Sequence, residues 1–153
     1  TLVHETNYTV EQVQRLASDV HASTDQGAPI SSGSFVTMGM IVLPCSVKTM
    51  AEIAHGTGDT LIPRAADVVL KERRRLVLGV REAPYHEIHL ENMLKLSRMG
   101  TVICPPLPAF YALPNSIDEM VDYSVSRILD QLGIHLDANR WSGDMESAVR
   151  DSD

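Results

Sequence analysis

Residues 64–82 read RAADVVLKERRRLVLGVRE, and this stretch decides the fold. Residues 65–70 carry alanine, valine and leucine and end at Lys71, the pattern of a short helix. Residues 76–80, LVLGV, form an apolar run with no polar alternation. Such a run fits a parallel strand buried on both faces. Arg81 and Glu82 follow it, and Pro84 keeps the strand from continuing. In open α/β sheets, ligands bind outside the carboxyl ends of the strands. The segment therefore delivers Arg81 and Glu82 to where a ligand would lie, with Arg64 and Lys71 nearby. Glu72, Arg73, Arg74 and Arg75 have a plainer reading, as charges that cap a helix and solvate a turn.

Two further apolar runs flank this one. Residues 38–43 (MGMIVL) read as a strand that Pro44 ends, and residues 101–104 (TVIC) read as a short strand. Each run leads into a loop of special residues: Pro44-Cys45-Ser46, Arg81-Glu82, and the proline-rich PPLPAFYALP that holds Tyr111. Helical stripes separate them. One covers 9–20, with Thr9 and Gln12 at capping-box spacing and Val10, Val13, Leu16, Ala17 and Val20 on one face. Another opens at Ser46, a good N-cap, and runs to about His55; residues 56–63 are a turn-rich link. The next runs from 86 to 99 and ends at Gly100, and the last starts at Ser116, with Glu119 completing a capping box, and ends at Gly133. Residues 1–7 read as the end of an element begun earlier. Alternating strand and helix predict a doubly wound α/β sheet with a site along its carboxyl edge.

Composition narrows the function classes. At 153 residues, one domain with a substantial core is expected. A net charge of -7 argues against a nucleic-acid partner held by general electrostatics. No apolar run approaches the roughly 20 residues that span a bilayer, so no membrane partner is expected. Cys45 and Cys104 are too few for a disulfide framework, which makes a reducing cytoplasm the default. His86 and His89 share a helical face, but no third ligand accompanies them and no metal site is expected.

The segments SSGSF, LPCSVKT, RAADVVLKERR, LVLGVREAP, HLENMLKLSRMG, PPLPAFY and the helix of 116–133 resemble the UbiX/Pad flavin prenyltransferases. The resemblance covers about 1–141. It implies a flavodoxin-like Rossmann domain, a three-layer α/β/α sandwich, that takes reduced FMN. It implies transfer of a dimethylallyl group from dimethylallyl monophosphate to the flavin, giving prenylated FMN for a UbiD-type decarboxylase. Older names for such proteins are 3-octaprenyl-4-hydroxybenzoate carboxy-lyase and phenylacrylic acid decarboxylase, linked to ubiquinone biosynthesis. A dodecamer with active sites shared between subunits is implied as well.

The resemblance also implies roles for residues. Glu5 and Glu82 match the catalytic glutamates. Ser46, Thr49 and Arg64 match flavin contacts, and Ser32 and Ser34 lie on a flavin-side or neighbouring-subunit segment. Lys71, Arg81, Tyr111 and Arg127 match the groups that hold the substrate phosphate. Trp141 matches a tail tryptophan near the site. The family begins with a strand and a glycine-rich GASG-type turn that are not found here. Residues 1–141 are thus expected to be an N-terminally incomplete domain that binds FMN weakly alone, and 142–153 a flexible tail.

Bottom-up chemistry points the same way. Breaking an allylic C–O bond to phosphate calls for cationic donors on the leaving group. Lys71, Arg81 and Arg127 supply them, Tyr111 adds a hydrogen bond, and no aspartate-rich magnesium motif is present. Glu5 and Glu82 divide electrostatic support and proton transfer between them, in either order. Two other readings remain: an FMN-dependent cysteine decarboxylase, and a non-catalytic FMN-binding or assembly subunit.

Overall fold

In a computed structural model of the chain, residues 2–136 are described. Three parallel strands make one sheet in the order β1 (Gly39–Cys45), β2 (Arg75–Val80), β3 (Val102–Ile103). Six α-helices accompany them: α1 (Leu2–Glu5), α2 (Val10–Gln14), α3 (Val47–His55), α4 (Leu61–Lys71), α5 (Glu87–Arg98) and α6 (Ile117–Asp130). Short 3-10 turns lie at Pro29–Ser31 and Phe110–Ala112. Among these helices none is long and apolar enough to cross a membrane.

The unbroken apolar run does become the central strand. Gly39 to Val42 pair in register with Arg75 to Leu78, and Val77 and Leu78 pair with Val102 and Ile103. Side chains alternate across a strand. Leu76, Leu78 and Val80 point into a core with Met50, Ile53 and Ala54 of α3, Ala66 and Val69 of α4, and Leu96 of α5. Val77 on the opposite face is buried too. Both faces of β2 are therefore covered, which is why no polar residue interrupts it.

Four sequence expectations need correction. Pro44 does not end β1: the strand runs on to Cys45, with an irregularity in register after Val42. Within the described sheet β1 is an edge strand, where a residue without an N–H is tolerated. The helix expected over 9–20 spans only Val10–Gln14. Its capping box forms, with Thr9 Oγ1 accepting from Gln12 N and Gln12 Oε1 accepting from Thr9 N. Yet Leu16 and Val20 face solvent, and a short helix with no packed stripe does not propagate. The link over 56–63 holds the first turn of α4, because Pro63 sits where a missing N–H costs nothing. In the last helix the Glu119 carboxylate accepts from Asn115 N rather than from Ser116 N, while Ser116 Oγ caps Glu119 N.

Arg74 also departs from the plain reading. Its guanidinium donates to the carbonyls of Gly33 at 2.7 Å and Phe35 at 2.8 Å, fastening the SSGSF loop to the turn between α4 and β2. A Cβ on Gly33 would meet only the flexible ends of Lys71 and Glu72, which shows how closely the loop approaches that turn. Residues 137–153, Trp141 among them, lie outside the described residues.

Leu78 is fully buried between helices and sheet. Leu78→Ala should lower stability by about 2–5 kcal/mol, measured by denaturant unfolding. A loss under 1 kcal/mol would contradict the central place given to β2.

Candidate functional site

The chain direction sorts the candidate residues. β2 is six residues long and spans roughly 20 Å. A three-residue turn joins α4 to β2, and α4 packs antiparallel on it. Arg64 in the first turns of α4 thus lies toward the carboxyl edge, while Lys71 at its end lies at the amino edge. Ser46, which follows β1, and Arg81 and Glu82, which follow β2, are all at the carboxyl edge. Arg81 N donates to Cys45 O at 3.1 Å, which ties these two strand ends together. Ser32 and Ser34 go with Lys71, because their loop is fastened beside Glu72 and Arg74.

Ser46 caps α3: its Oγ accepts from Thr49 N at 3.1 Å and donates to Thr49 Oγ1 at 3.1 Å. The amides of Val47 and Lys48 open the helix without intrahelical acceptors, a geometry that suits a carbonyl or an anion. Arg64 reaches Asp67 at 3.2 Å on its own helix. Glu82 folds back to accept from Ala83 N at 3.0 Å. Lys71 pairs with Glu72, and its hydrogen bond holds that carboxyl below the usual carboxylate range. Ser32 and Ser34 share a hydroxyl–hydroxyl bond of 2.9 Å.

Arg81 meets a residue 76 positions away. Its Nη1 donates to Glu5 Oε2 at 2.7 Å and its Nη2 to Glu5 Oε1 at 3.0 Å, a two-pronged pair. The hydrogen bond from Arg81 lowers the Glu5 pKa, with desolvation opposing it and the arginine's charge adding to it. The same bond raises the pKa of Arg81. Both residues line a cavity of about 610 Å³ walled by Leu43, Pro44, Pro106, Ile117, Val121 and Ile128.

Helix α6 forms one wall of that cavity and a second site faces away from it. Tyr111 and Tyr123 join hydroxyl to hydroxyl at 2.5 Å, with their rings edge to face. Arg127, one turn beyond Tyr123, pairs with Asp130 at 2.8 Å. Tyr123 lines a cavity of about 520 Å³ with Glu119, Asp122 and Asn115. Sequence reading missed Tyr123, although its four-residue spacing from Arg127 was a signal. His86 and His89 do share a face, with rings stacked at 3.5 Å, and among the described residues no cluster of three metal-binding side chains exists. Cys45 is buried, and that burial pushes its thiol up to about 11.

A parallel sheet under helices, with arginine, glutamate and a capped helix start at its carboxyl edge, defines a flavodoxin-like α/β domain. Residues 3–129 match the family model described as Flavoprotein. A probable UbiX-like flavin prenyltransferase of Bacillus subtilis is 58% identical over 144 residues, 94% of this chain and 71% of that protein. The flavin prenyltransferase UbiX of Archaeoglobus fulgidus is 49% identical over 141 residues, 92% of this chain and 78% of that protein. Among solved structures, AnUbiX (PadA1) in complex with FMN and dimethylallyl pyrophosphate superposes with a TM-score of 0.91 at 53% identity, covering 93% of this chain and 76% of that one. A dodecameric FMN-dependent UbiX-like decarboxylase from Escherichia coli O157:H7 superposes at 0.90 with 55% identity, covering 92% and 77%. The chain belongs to the flavoprotein family and, within it, to the UbiX-like flavin prenyltransferases.

The tyrosine pair has a spectroscopic consequence. The hydrogen bond shared with Tyr111 is the main cause that raises the pKa of Tyr123, with burial adding to it. Tyr111→Phe should bring the Tyr123 phenolate in at lower pH, read by absorbance near the phenolate band. An unmoved titration would mean that the bond does not form in solution.

Proposed function

We propose that this protein is a flavin prenyltransferase that moves a dimethylallyl group from dimethylallyl monophosphate onto reduced FMN. Family membership at 49–58% identity supports the reaction class. One observation carries the site: the Arg81 guanidinium fork meets the Glu5 carboxylate at the strand ends, and both line an apolar cavity with room for a short prenyl chain. The flavin, when bound, would supply the nucleophilic nitrogen.

Each residue then has a task. Ser46, Thr49 and the start of α3 would hold the flavin's polar edge, and Arg64 would approach it from α4. Arg81 would bind the departing phosphate and take up charge as the C–O bond breaks with its electron pair on oxygen. The cavity would house the prenyl chain and exclude water from the allylic cation. Glu82 would move a proton between flavin and phosphate, and Glu5 would offset the cation's charge. The older decarboxylase name fits the step a UbiD-type enzyme would perform with the product.

Lys71, Ser32 and Ser34 sit at the opposite edge of the sheet from Arg81, so one copy does not bring all the candidates together. A second copy, docking its amino edge on the first one's carboxyl edge, would. Shared sites in a homo-oligomer, dodecameric like the Escherichia coli relative, account for the split.

Incubation with reduced FMN and the monophosphate or diphosphate ester tests the reaction: the product mass should gain one dimethylallyl unit from the monophosphate. No gain with either ester would favour the non-catalytic flavin-binding reading. Arg81→Ala should cut use of the prenyl phosphate about 10- to 150-fold, the worth of a charged hydrogen bond, with far less effect on FMN affinity. Equal loss of both would refute its assignment. Mixing impaired Lys71→Ala and Arg81→Ala subunits should restore part of the lost activity. Mixtures no more active than either variant alone would rule out a site composed of both edges.

A further inference from the structure

Arg81 carries two claims on one fork. The Nη1–Nη2 edge of a guanidinium offers parallel N–H donors that fit a carboxylate or a phosphate equally well, one two-pronged partner at a time. Glu5 fills that fork with both oxygens, at 2.7 and 3.0 Å. Taking Arg81 as the prenyl-phosphate ligand, as above, we propose that Glu5 is a latch that phosphate displaces: it holds the fork until a phosphate monoester arrives, and is then released beside the apolar cavity.

Three observations support the exchange. Glu5 ends a four-residue helix with no buried side chain, so moving it disrupts little packing. The pair is about half exposed on each side, and exposed ion pairs are weak, so a more highly charged phosphate can displace the carboxylate. Among the described residues, Arg81 and Glu5 are the two charged ones lining the cavity. Once phosphate has taken the arginine, the freed carboxylate is the anion left to face positive charge developing on the prenyl chain. Its proton affinity also returns toward the ordinary value when the Arg81 hydrogen bond is gone. Substrate arrival thereby arms Glu5, and without phosphate the carboxylate stays neutralised.

The latch makes phosphate binding and α1 docking compete, and such coupling is reciprocal. Calorimetric titration with inorganic phosphate, and with dimethylallyl monophosphate, is the test on wild type, Glu5→Gln and Arg81→Ala, each checked for native circular dichroism. Glu5→Gln should bind both ligands roughly fivefold tighter or more while turning over more slowly. A merely structural Glu5 would leave affinity unchanged or weaken it, and either result overturns the latch. Glu5→Asp, too short for two-pronged contact, should tighten binding in the same direction and serves if Glu5→Gln does not fold. In wild type, phosphate should speed amide exchange across residues 2–8, the reverse of the usual protection by ligand; slower or unaltered exchange also overturns the latch. Undiminished phosphate affinity in Arg81→Ala would show instead that Arg81 is not the phosphate ligand, removing the reading on which the latch rests.

Discussion

Burial of β2 on both faces is the constraint from which the rest follows. A strand with Leu76, Val77, Leu78 and Val80 all nearly inaccessible has no solvent side, so helices must cover it and neighbours must take up its hydrogen bonds. Parallel pairing to both neighbours then requires crossovers, which α3 with α4 and α5 provide. Those crossovers leave every strand pointing the same way. The loops that follow Cys45, Val80 and Ile103 consequently open at one edge, and chemistry carried by those loops converges there.

The parts of this design visible in the sequence were those written in short periods. The apolar runs at 38–43, 76–80 and 101–104 announced three strands, and the capping residues Thr9, Ser46 and Ser116 hold the helix starts they foretold. Legibility failed where a local pattern needed a distant partner. The stripe of Val10, Val13, Leu16 and Val20 has helical spacing, but nothing in the described structure packs against its later half, and the helix stops at Gln14. Pro44 carries a local stop signal that the open side of β1 makes harmless. Arg74 looked like one more solvated charge because the carbonyls it binds lie about 40 positions earlier.

The candidate site shows the same division. Arg81 and Glu82 were placed by strand position alone, and Ser46 by its cap. The pairing of Arg81 with Glu5 crosses 76 residues and no spacing rule reaches that far. Lys71 illustrates a different limit. It lies only ten positions from Arg81, yet the antiparallel course of α4 and β2 sends the two to opposite ends of the sheet. Nearness in the chain suggested a common site, which the geometry of a single copy does not provide.

Arg74 grips only main-chain oxygens, those of Gly33 and Phe35. Its hold is therefore blind to the side chains of the loop. Mutation can rewrite Ser32, Ser34 and their neighbours while the loop keeps its place, so where the segment sits and what it displays can evolve separately. A surface that must present new groups without shifting its frame gains from such an arrangement, and a single arginine in the α4–β2 turn confers it.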